Sequence, residues 1–494
     1  MLRLFLAAVL LAPAALGQAA YDVTLPMAGL DGDARDAFER GVELLHSFEY
    51  DDARDAFRQS QRLAPSAAMA YWGEAMTYNH PVWQQQDAAA AAAVLARLTE
   101  HASGPASRHE ASYRAALGVL FSDTSDETKE VRDDAYLAAM AAHAAAFPDD
   151  RDGRAFYALA LLGSAHEGRD YAVYGRAAEV AQSVLDQDPE HPGALHYLIH
   201  AYDDPDHAAL ALPAARAYAE IVSAASHALH MPTLIYFALG LWDDASALNV
   251  RSFEAARAAS ARRGEPLNNH GWHALYWLNY SELQRGHDAE AVALLARADS
   301  LYRVGPSDLA FRHLVRIRHQ TLITLAFANR EVRLSTSELR LERPLGDADP
   351  TTEALDLASR MILGVAADAA ETRLQALAAA PGASATVRAL AAVMLSGLVT
   401  DTTALERLAE AVDAVEATPI AFGPPTPAMY PHERMAGNLA AAGAPALARC
   451  LLDAVEARAP GRRLTALMRD QIGAARPDDL GVDLPTPAVC ARPD

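Results

Sequence analysis

Apolar residues recur at helical spacing along most of this 494-residue chain, in which alanine is abundant and β-branched residues are modest in number. This pattern is typical of stacked helices rather than of sheets, so we expect few strands or none. One hydrophobic core rarely organises so long a chain, which leaves several domains or one elongated repeat array as alternatives. The helical composition favours the array.

The same spacing of small, apolar and proline positions occurs near both ends of the chain, in residues 34–65 and 429–460. It is the spacing of the tetratricopeptide (TPR) pattern, in which a small residue lets two helices cross closely and a proline ends the second helix. Gly240 and Gly286 mark the turns of two further helical hairpins. Additional helical pairs are predicted at 67–101, 108–147, 153–188, 192–221 and 309–332.

A hairpin of this kind cannot bury its apolar face alone, so neighbouring hairpins must stack. Stacking generates a curved superhelix with a concave inner wall. We therefore predict an all-α fold, a TPR-like α-solenoid in which the helical hairpins form a right-handed superhelix.

The first residues are typical of a secretory signal peptide. Arg3 supplies a positive start, residues 4–16 are apolar, and Ala15 and Gly17 offer small residues at a cleavage site. We expect export to the periplasm or the cell exterior, and no stable membrane insertion because the apolar run is too short. The predicted segments are a signal peptide (1–17), an N-terminal linker (18–33), a TPR-like array with a histidine-rich groove (34–333), a loop (334–351), an alanine-rich helical scaffold (352–420), a proline-rich connector (421–428), a C-terminal TPR-like unit (429–475) and an extended tail (476–494).

Charge and cysteine content limit the partners and the compartment. The formal net charge of −22 argues against nucleic acid as a partner, because phosphates would be repelled across most of the surface. The two cysteines, Cys450 and Cys490, could form one disulfide that ties the tail to the last helices. The alternative is one buried free thiol and one unpaired thiol in the tail.

The sequence contains no recognisable catalytic motif. It has no phosphate-binding glycine loop, no His-Glu-x-x-His pair and no Gly-x-Ser-x-Gly elbow. Whether the chain is an enzyme therefore stays open, with a histidine acting as general base as the one candidate chemistry. Trp72, Trp242 and Trp277 are expected to pack between repeats.

Six short motifs are distributed over most of the mature chain. They are Leu45-His46-Ser47-Phe48-Glu49-Tyr50, Ala70-Tyr71-Trp72-Gly73-Glu74-Ala75-Met76, Asn79-His80-Pro81, His196-Tyr197-Leu198-Ile199-His200-Ala201, His227-Ala228-Leu229-His230-Met231-Pro232 and Pro431-His432-Glu433. Together they resemble a group of exported, histidine-rich bacterial TPR proteins. The resemblance implies a TPR-like fold and export, and it implies no particular activity.

Histidines are unevenly distributed, with six of the chain's 18 within residues 191–230. His196 and His200 are four residues apart and share one helix face, and His227 and His230 are three apart with the same consequence. Alignment on the turn glycines Gly240 and Gly286 places His227 and His273 at the same repeat position. In the proteins that this chain resembles, that position faces the concave groove.

These histidines support two hypotheses about function. The first is an exported scaffold that binds a protein, peptide or small ligand in its groove. The predicted groove residues are His46, Tyr50, His80, His196, His200, His227, His230 and His273.

The alternative hypothesis is a divalent transition metal, zinc or copper, with or without a reaction. Its predicted ligands are His196, His200, His207, His227 and His230, with carboxylates available in the turn that contains Asp203, Asp204 and Asp206. The structural explanation of the same residues is that Asp204-Pro205 forms an inter-helix turn and that the histidines are polar residues bonded to neighbouring helices.

Overall fold

A computed structural model describes residues 22–102, 104–122, 128–222, 225–328, 349–396, 402–418, 427–472 and 484–491. In these ranges the chain forms 22 α-helices, two two-residue strands and two short 3-10 turns. The predicted signal peptide (1–17), most of the loop (334–351) and most of the connector (421–428) lie outside the described residues.

The chain forms two compact units. Unit 1 comprises Met1–Ala160 and Val184–Gly193, and unit 2 comprises Leu161–Ser183 and Ala194–Asp494, so the array predicted at 34–333 is shared between them. The first eight helices are α1 (Gly32–His46), α2 (Tyr50–Leu63), α3 (Ala68–Met76), α4 (Ala88–His101), α5 (Arg108–Leu120), α6 (Lys129–Ala146), α7 (Arg151–Gly163) and α8 (Tyr171–Leu185).

The remaining helices belong to unit 2. They are α9 (Pro192–Ala201), which begins at the end of unit 1, α10 (Ala208–Ile221), α11 (Ser226–Ala238), α12 (Trp242–Arg263), α13 (Asn269–Arg285), α14 (Asp288–Val304), α15 (Asp308–Phe327), α16 (Pro350–Leu363), α17 (Ala367–Ala379), α18 (Ala385–Leu395), α19 (Thr402–Ala417), α20 (Pro431–Ala441), α21 (Pro445–Arg458) and α22 (Arg463–Ile472).

Helices pack on their neighbours in sequence, and the first helices of successive hairpins, such as α11, α13 and α15, also contact one another. This is the packing of a TPR-like α-solenoid, so the predicted fold class is confirmed. The helical pairs predicted at 67–101, 108–147, 153–188 and 192–221 are present, and the described part of 309–332 belongs to α15, which ends at Phe327. Among the described residues, no helix has the length and apolar character needed to cross a membrane.

The first hairpin shows why the small positions of the repeat are small. Phe57 is fully buried, and a Cβ atom added at Gly41 would lie 2.7 Å from its ring. A Cβ atom at Gly73 would lie 2.3 Å from the same ring. Glycine at both positions therefore lets α1 and α3 close around one phenylalanine of α2.

A short hairpin interrupts the helices after α3. Strand β1 (Asn79–His80) pairs antiparallel with β2 (Gln85–Gln86), and a 3-10 turn over Pro81–Trp83 joins them. This hairpin begins beyond the end of α3. The expectation of few strands is met in the described residues.

Arg462 anchors the C-terminal end of unit 2 to α13. Its fully buried guanidinium donates to both carboxylate oxygens of Glu433, at 3.1 and 3.0 Å, and to the Tyr280 hydroxyl. Nearby, the Trp242 indole donates to the Gly461 carbonyl at 2.9 Å. A disulfide joins Cys450 of α21 to Cys490 in the tail, as one of the two predicted alternatives stated.

We predict that Arg462→Met lowers the free energy of unfolding of the chain by about 3–5 kcal/mol, because the buried Glu433 carboxylate loses its cation. Chemical denaturation followed by circular dichroism measures the change. Arg469→Met in α22 is the matched control, since Arg469 pairs with Asp453 at an exposed position. Its effect should stay below about 1 kcal/mol, and an equal effect of the two substitutions contradicts the role given to Arg462.

Candidate metal centre in the histidine row

Imidazoles from α9, α11, α13 and α15 of unit 2 lie in two neighbouring groups, here together called the histidine row. Ring centroids are 5.2 Å apart for His196 and His227, 5.3 Å for His227 and His270, and 4.6 Å for His230 and His273. The row contains His196 and His200 of α9, His227 and His230 of α11, His270 and His273 of α13, and His313 of α15.

Three members of the row lie close enough together to hold one ion. His196, His200 and His227 are buried, and each offers a ring nitrogen within 4.8 Å of the other two. His196 and His200 occupy adjacent turns of one face of α9, and α11 brings His227 to them. Small rotations of three rings suffice to bring such nitrogens to the distance that one zinc ion requires.

The surroundings of His227 favour the form of its ring that binds metals. Burial lowers the pKa of His227 well below its usual range, and the neighbouring imidazoles of His196, His270 and His200 lower it further. At neutral pH this ring is therefore uncharged, and only the uncharged ring has a nitrogen lone pair for an ion.

A carboxylate lies behind the second ring. Asp203 Oδ2 is 3.6 Å from His200 Nδ1, and the other carboxylate oxygen accepts from the guanidinium of Arg169. Both Asp203 and Arg169 are buried. A carboxylate placed behind a ligating histidine orients the ring and increases its basicity, so Asp203 is suited to direct His200 Nε2 toward the ion.

The structure does not bring His207 to this trio. Its Nδ1 lies 2.9 Å from Asp204 Oδ1, and the same oxygen accepts from the backbone amides of Asp206 and His207. His207 is thus part of the turn before α10, as the structural explanation predicted, and the geometry does not support the prediction that it is a metal ligand.

His230 and His270 also differ from expectation. His230, a predicted ligand of the same ion, turns toward His273 instead. His270 was not predicted, although its spacing of three residues from His273 repeats that of His227 and His230. That repeated spacing was the signal that could have found it.

A second set of histidines, which lies in unit 1, faces the carboxylates of two aspartates. His46 Nε2 lies 3.0 Å from Asp152 Oδ1, and His191 Nε2 lies 3.4 Å from the same oxygen. The Thr24 hydroxyl lies 2.9 Å from Asp152 Oδ2 and 2.8 Å from Asp150 Oδ1. None of the aspartates in this network was predicted from the sequence.

Asp150 gathers the other imidazoles of unit 1. His109 Nε2 and His143 Nε2 lie 2.6 and 2.9 Å from Asp150 Oδ2, and the Tyr113 hydroxyl donates to it at 2.7 Å. A Cβ atom at Gly153 would lie 2.5 Å from His143 Nε2, so glycine is needed where α7 passes this cluster.

Both groups of unit 1 also have the composition of metal ligands. Each imidazole nitrogen named here nevertheless faces a carboxylate oxygen, so these contacts account for the histidines of unit 1 without an ion. His46 is fully buried in it and does not line an open groove. Its burial therefore does not support the prediction of His46 as a groove residue.

The remaining predicted groove residues, Tyr50 and His80, stack on each other with centroids 3.9 Å apart. Trp83 packs edge-on against both rings. Trp72, Trp242 and Trp277 are buried, as predicted.

Comparison with known proteins adds little to this description. No protein-family profile matches the chain, and no curated protein matches it. A solved structure of a human IFIT1 dimer with m7Gppp-AAAA matches 90% of this chain and 95% of that chain, at 12% sequence identity and a TM-score of 0.38. A likeness at this level carries no argument about function, and the fold assignment rests on the helix packing described above.

The network of unit 1 predicts how its stability depends on pH. Burial lowers the pKa of His46 below 6.5. Burial alone would raise the pKa of Asp150, but hydrogen bonds from His109 and His143 lower it to about 2. In each case the unfolded chain binds the proton more readily, so stability falls on acidification, first below pH 6.5 and then below pH 3.8.

We predict that the stability lost in His46→Gln is largest near pH 7 and shrinks toward pH 5, by up to about 1.4 kcal/mol per pH unit. The reason is that acid removes the contribution of neutral His46 from the wild-type protein only. Denaturant unfolding of both proteins between pH 5 and pH 7.5 measures the difference. A difference that grows as pH falls would mean that His46 is a cation paired with Asp152.

Proposed function

We propose that this protein is an exported helical-repeat scaffold that holds a divalent transition metal ion at His196, His200 and His227. The observation that carries the proposal is the meeting of these three buried imidazoles from α9 and α11. Three imidazoles suit zinc, copper or nickel, and three protein ligands leave a coordination position for water or a substrate.

Two observations support export. The first is the signal-like sequence at the N-terminus, and the second is the disulfide between Cys450 and Cys490. Disulfides persist in oxidising compartments, which include the periplasm and the cell exterior.

The charge of the chain supports an ion or a small ligand rather than a nucleic acid. A formal net charge of −22 repels phosphates and attracts cations. The predicted binding of a peptide or protein segment stays a prediction. His196 is fully buried and His200 and His227 are nearly so, which favours a ligand as small as an ion at this position.

The test uses protein purified without a histidine tag and incubated with Zn²⁺. Its zinc content is measured by elemental mass spectrometry. We expect His200→Ala and His227→Ala each to lose one equivalent of zinc relative to the wild type, because each removes a ligand. Asp203→Asn should keep the site but weaken zinc binding by about 10–100-fold in chelator competition, since Asp203 acts through His200.

His207→Ala is the matched control, because His207 is close in sequence, half-exposed and bonded outside the trio. It should keep the wild-type zinc content. No zinc above trace in the wild type, or equal zinc in His200→Ala and the wild type, would overturn the proposed function.

A further inference from the structure

The protons of His230 can be located from its neighbours. Nδ1 lies 2.9 Å from Asn249 Oδ1 and 3.2 Å from Thr233 Oγ1. The Asn249 amide nitrogen donates to the Ala245 carbonyl at 2.9 Å, which keeps the amide oxygen toward His230. The Thr233 hydroxyl proton is used on the His230 carbonyl at 2.6 Å. Both neighbours are therefore acceptors, and the proton of neutral His230 is on Nδ1.

The facing nitrogen of His273 has no proton either. The indole of Trp277 donates to His273 Nε2 at 3.0 Å, and an indole N–H is only a donor. His273 therefore has its proton on Nδ1, and its Nε2, which accepts from the indole, also lies against His230 Nε2.

These two assignments leave no proton between His230 Nε2 and His273 Nε2. His230 Nε2 and His273 Nε2 are 3.1 Å apart, which is a hydrogen-bond distance with no hydrogen available. Adding a proton would make one ring an imidazolium. That charge would lie in the interior, since the His230 side chain is buried. A metal cation that accepts an electron pair from each of the two nitrogens removes the mismatch.

We propose that His230 and His273 form a second position for a divalent transition ion, beside the first. The ion accepts a lone pair from Nε2 of each ring, and bonds of about 2.0–2.1 Å are compatible with two nitrogens 3.1 Å apart. The indole N–H of Trp277 then lies beside the ion, where it can donate to a water or an anion in the remaining coordination positions. This inference rests on the proposed function only for the presence of a neighbouring ion.

Unit 1 provides the internal contrast. There, imidazole nitrogens face carboxylate oxygens, as His46 faces Asp152 at 3.0 Å, and a proton between them satisfies both groups. In the His230 and His273 pair the facing groups are both nitrogen acceptors. The pair therefore differs from the histidines of unit 1 because no proton lies between its two facing nitrogens.

The test is a Cu²⁺ titration of the full, untagged chain, with bound copper counted after removal of free ion. We expect two equivalents in the wild type, one in His273→Ala and one in His200→Ala. His313→Ala is the matched control, because its ring lies in the same row, 6.5 Å from that of His273, but outside the pair. It should bind two equivalents.

Electron paramagnetic resonance of the wild type loaded with two equivalents gives a test that needs no variant. One Cu²⁺ ion would be bound through His227 and the other through His230, three residues further along α11. Two ions this close should show dipolar broadening and a half-field signal. These signals should be absent at one equivalent.

The outcomes separate the two proposals. Two equivalents in His273→Ala, or a single equivalent in the wild type that His273→Ala keeps, would overturn the second position while the first stands. Loss of one equivalent in His273→Ala but none in His200→Ala would support the pair and overturn the trio. No copper bound by the wild type would overturn both.

Discussion

An imidazole ring buried among packed helices must have each nitrogen matched by a partner of the right kind, because neither a buried charge nor an unmatched polar atom is tolerated cheaply. Most of the 18 histidines of this chain are subject to this constraint at once. In the described residues it is met in two ways. In unit 1 the carboxylates of Asp150 and Asp152 face imidazoles, whereas the histidine row of unit 2 places imidazoles against imidazoles.

The two solutions have different consequences. A carboxylate accepts the imidazole proton, so the network of unit 1 is explained by its hydrogen bonds. It also connects Thr24, near the start of the described residues, to α7. A cluster of neutral imidazoles instead presents lone pairs, and the ion that neutral imidazoles bind best is a transition metal. Neighbouring polar groups also orient these imidazoles. Arg169 pairs with Asp203 behind His200, and Asn249 hydrogen-bonds to His230.

Much of the fold follows from local signals, and only part of the site does. The helical hairpins are encoded by a period of 3.6 residues and by turn glycines such as Gly240 and Gly286, which adopt positive φ values as expected. The pairs His196/His200 and His227/His230 are likewise local. Which rings meet across helices depends on the offset between hairpins. Alignment on the turns equates His227 with His273, but the structure packs His227 on His270 and His230 on His273. The bond between His46 and Asp152, 106 residues apart, has no periodicity that could reveal it.

X-ray absorption at the zinc edge, on untagged protein loaded with one equivalent of Zn²⁺, tests the central claim most directly. The account predicts a first shell dominated by nitrogen at about 2.0–2.1 Å, with the outer-shell scattering of imidazole rings. It also predicts that this scattering diminishes in His196→Ala. A first shell of oxygen alone, or a spectrum unchanged in His196→Ala, would contradict it.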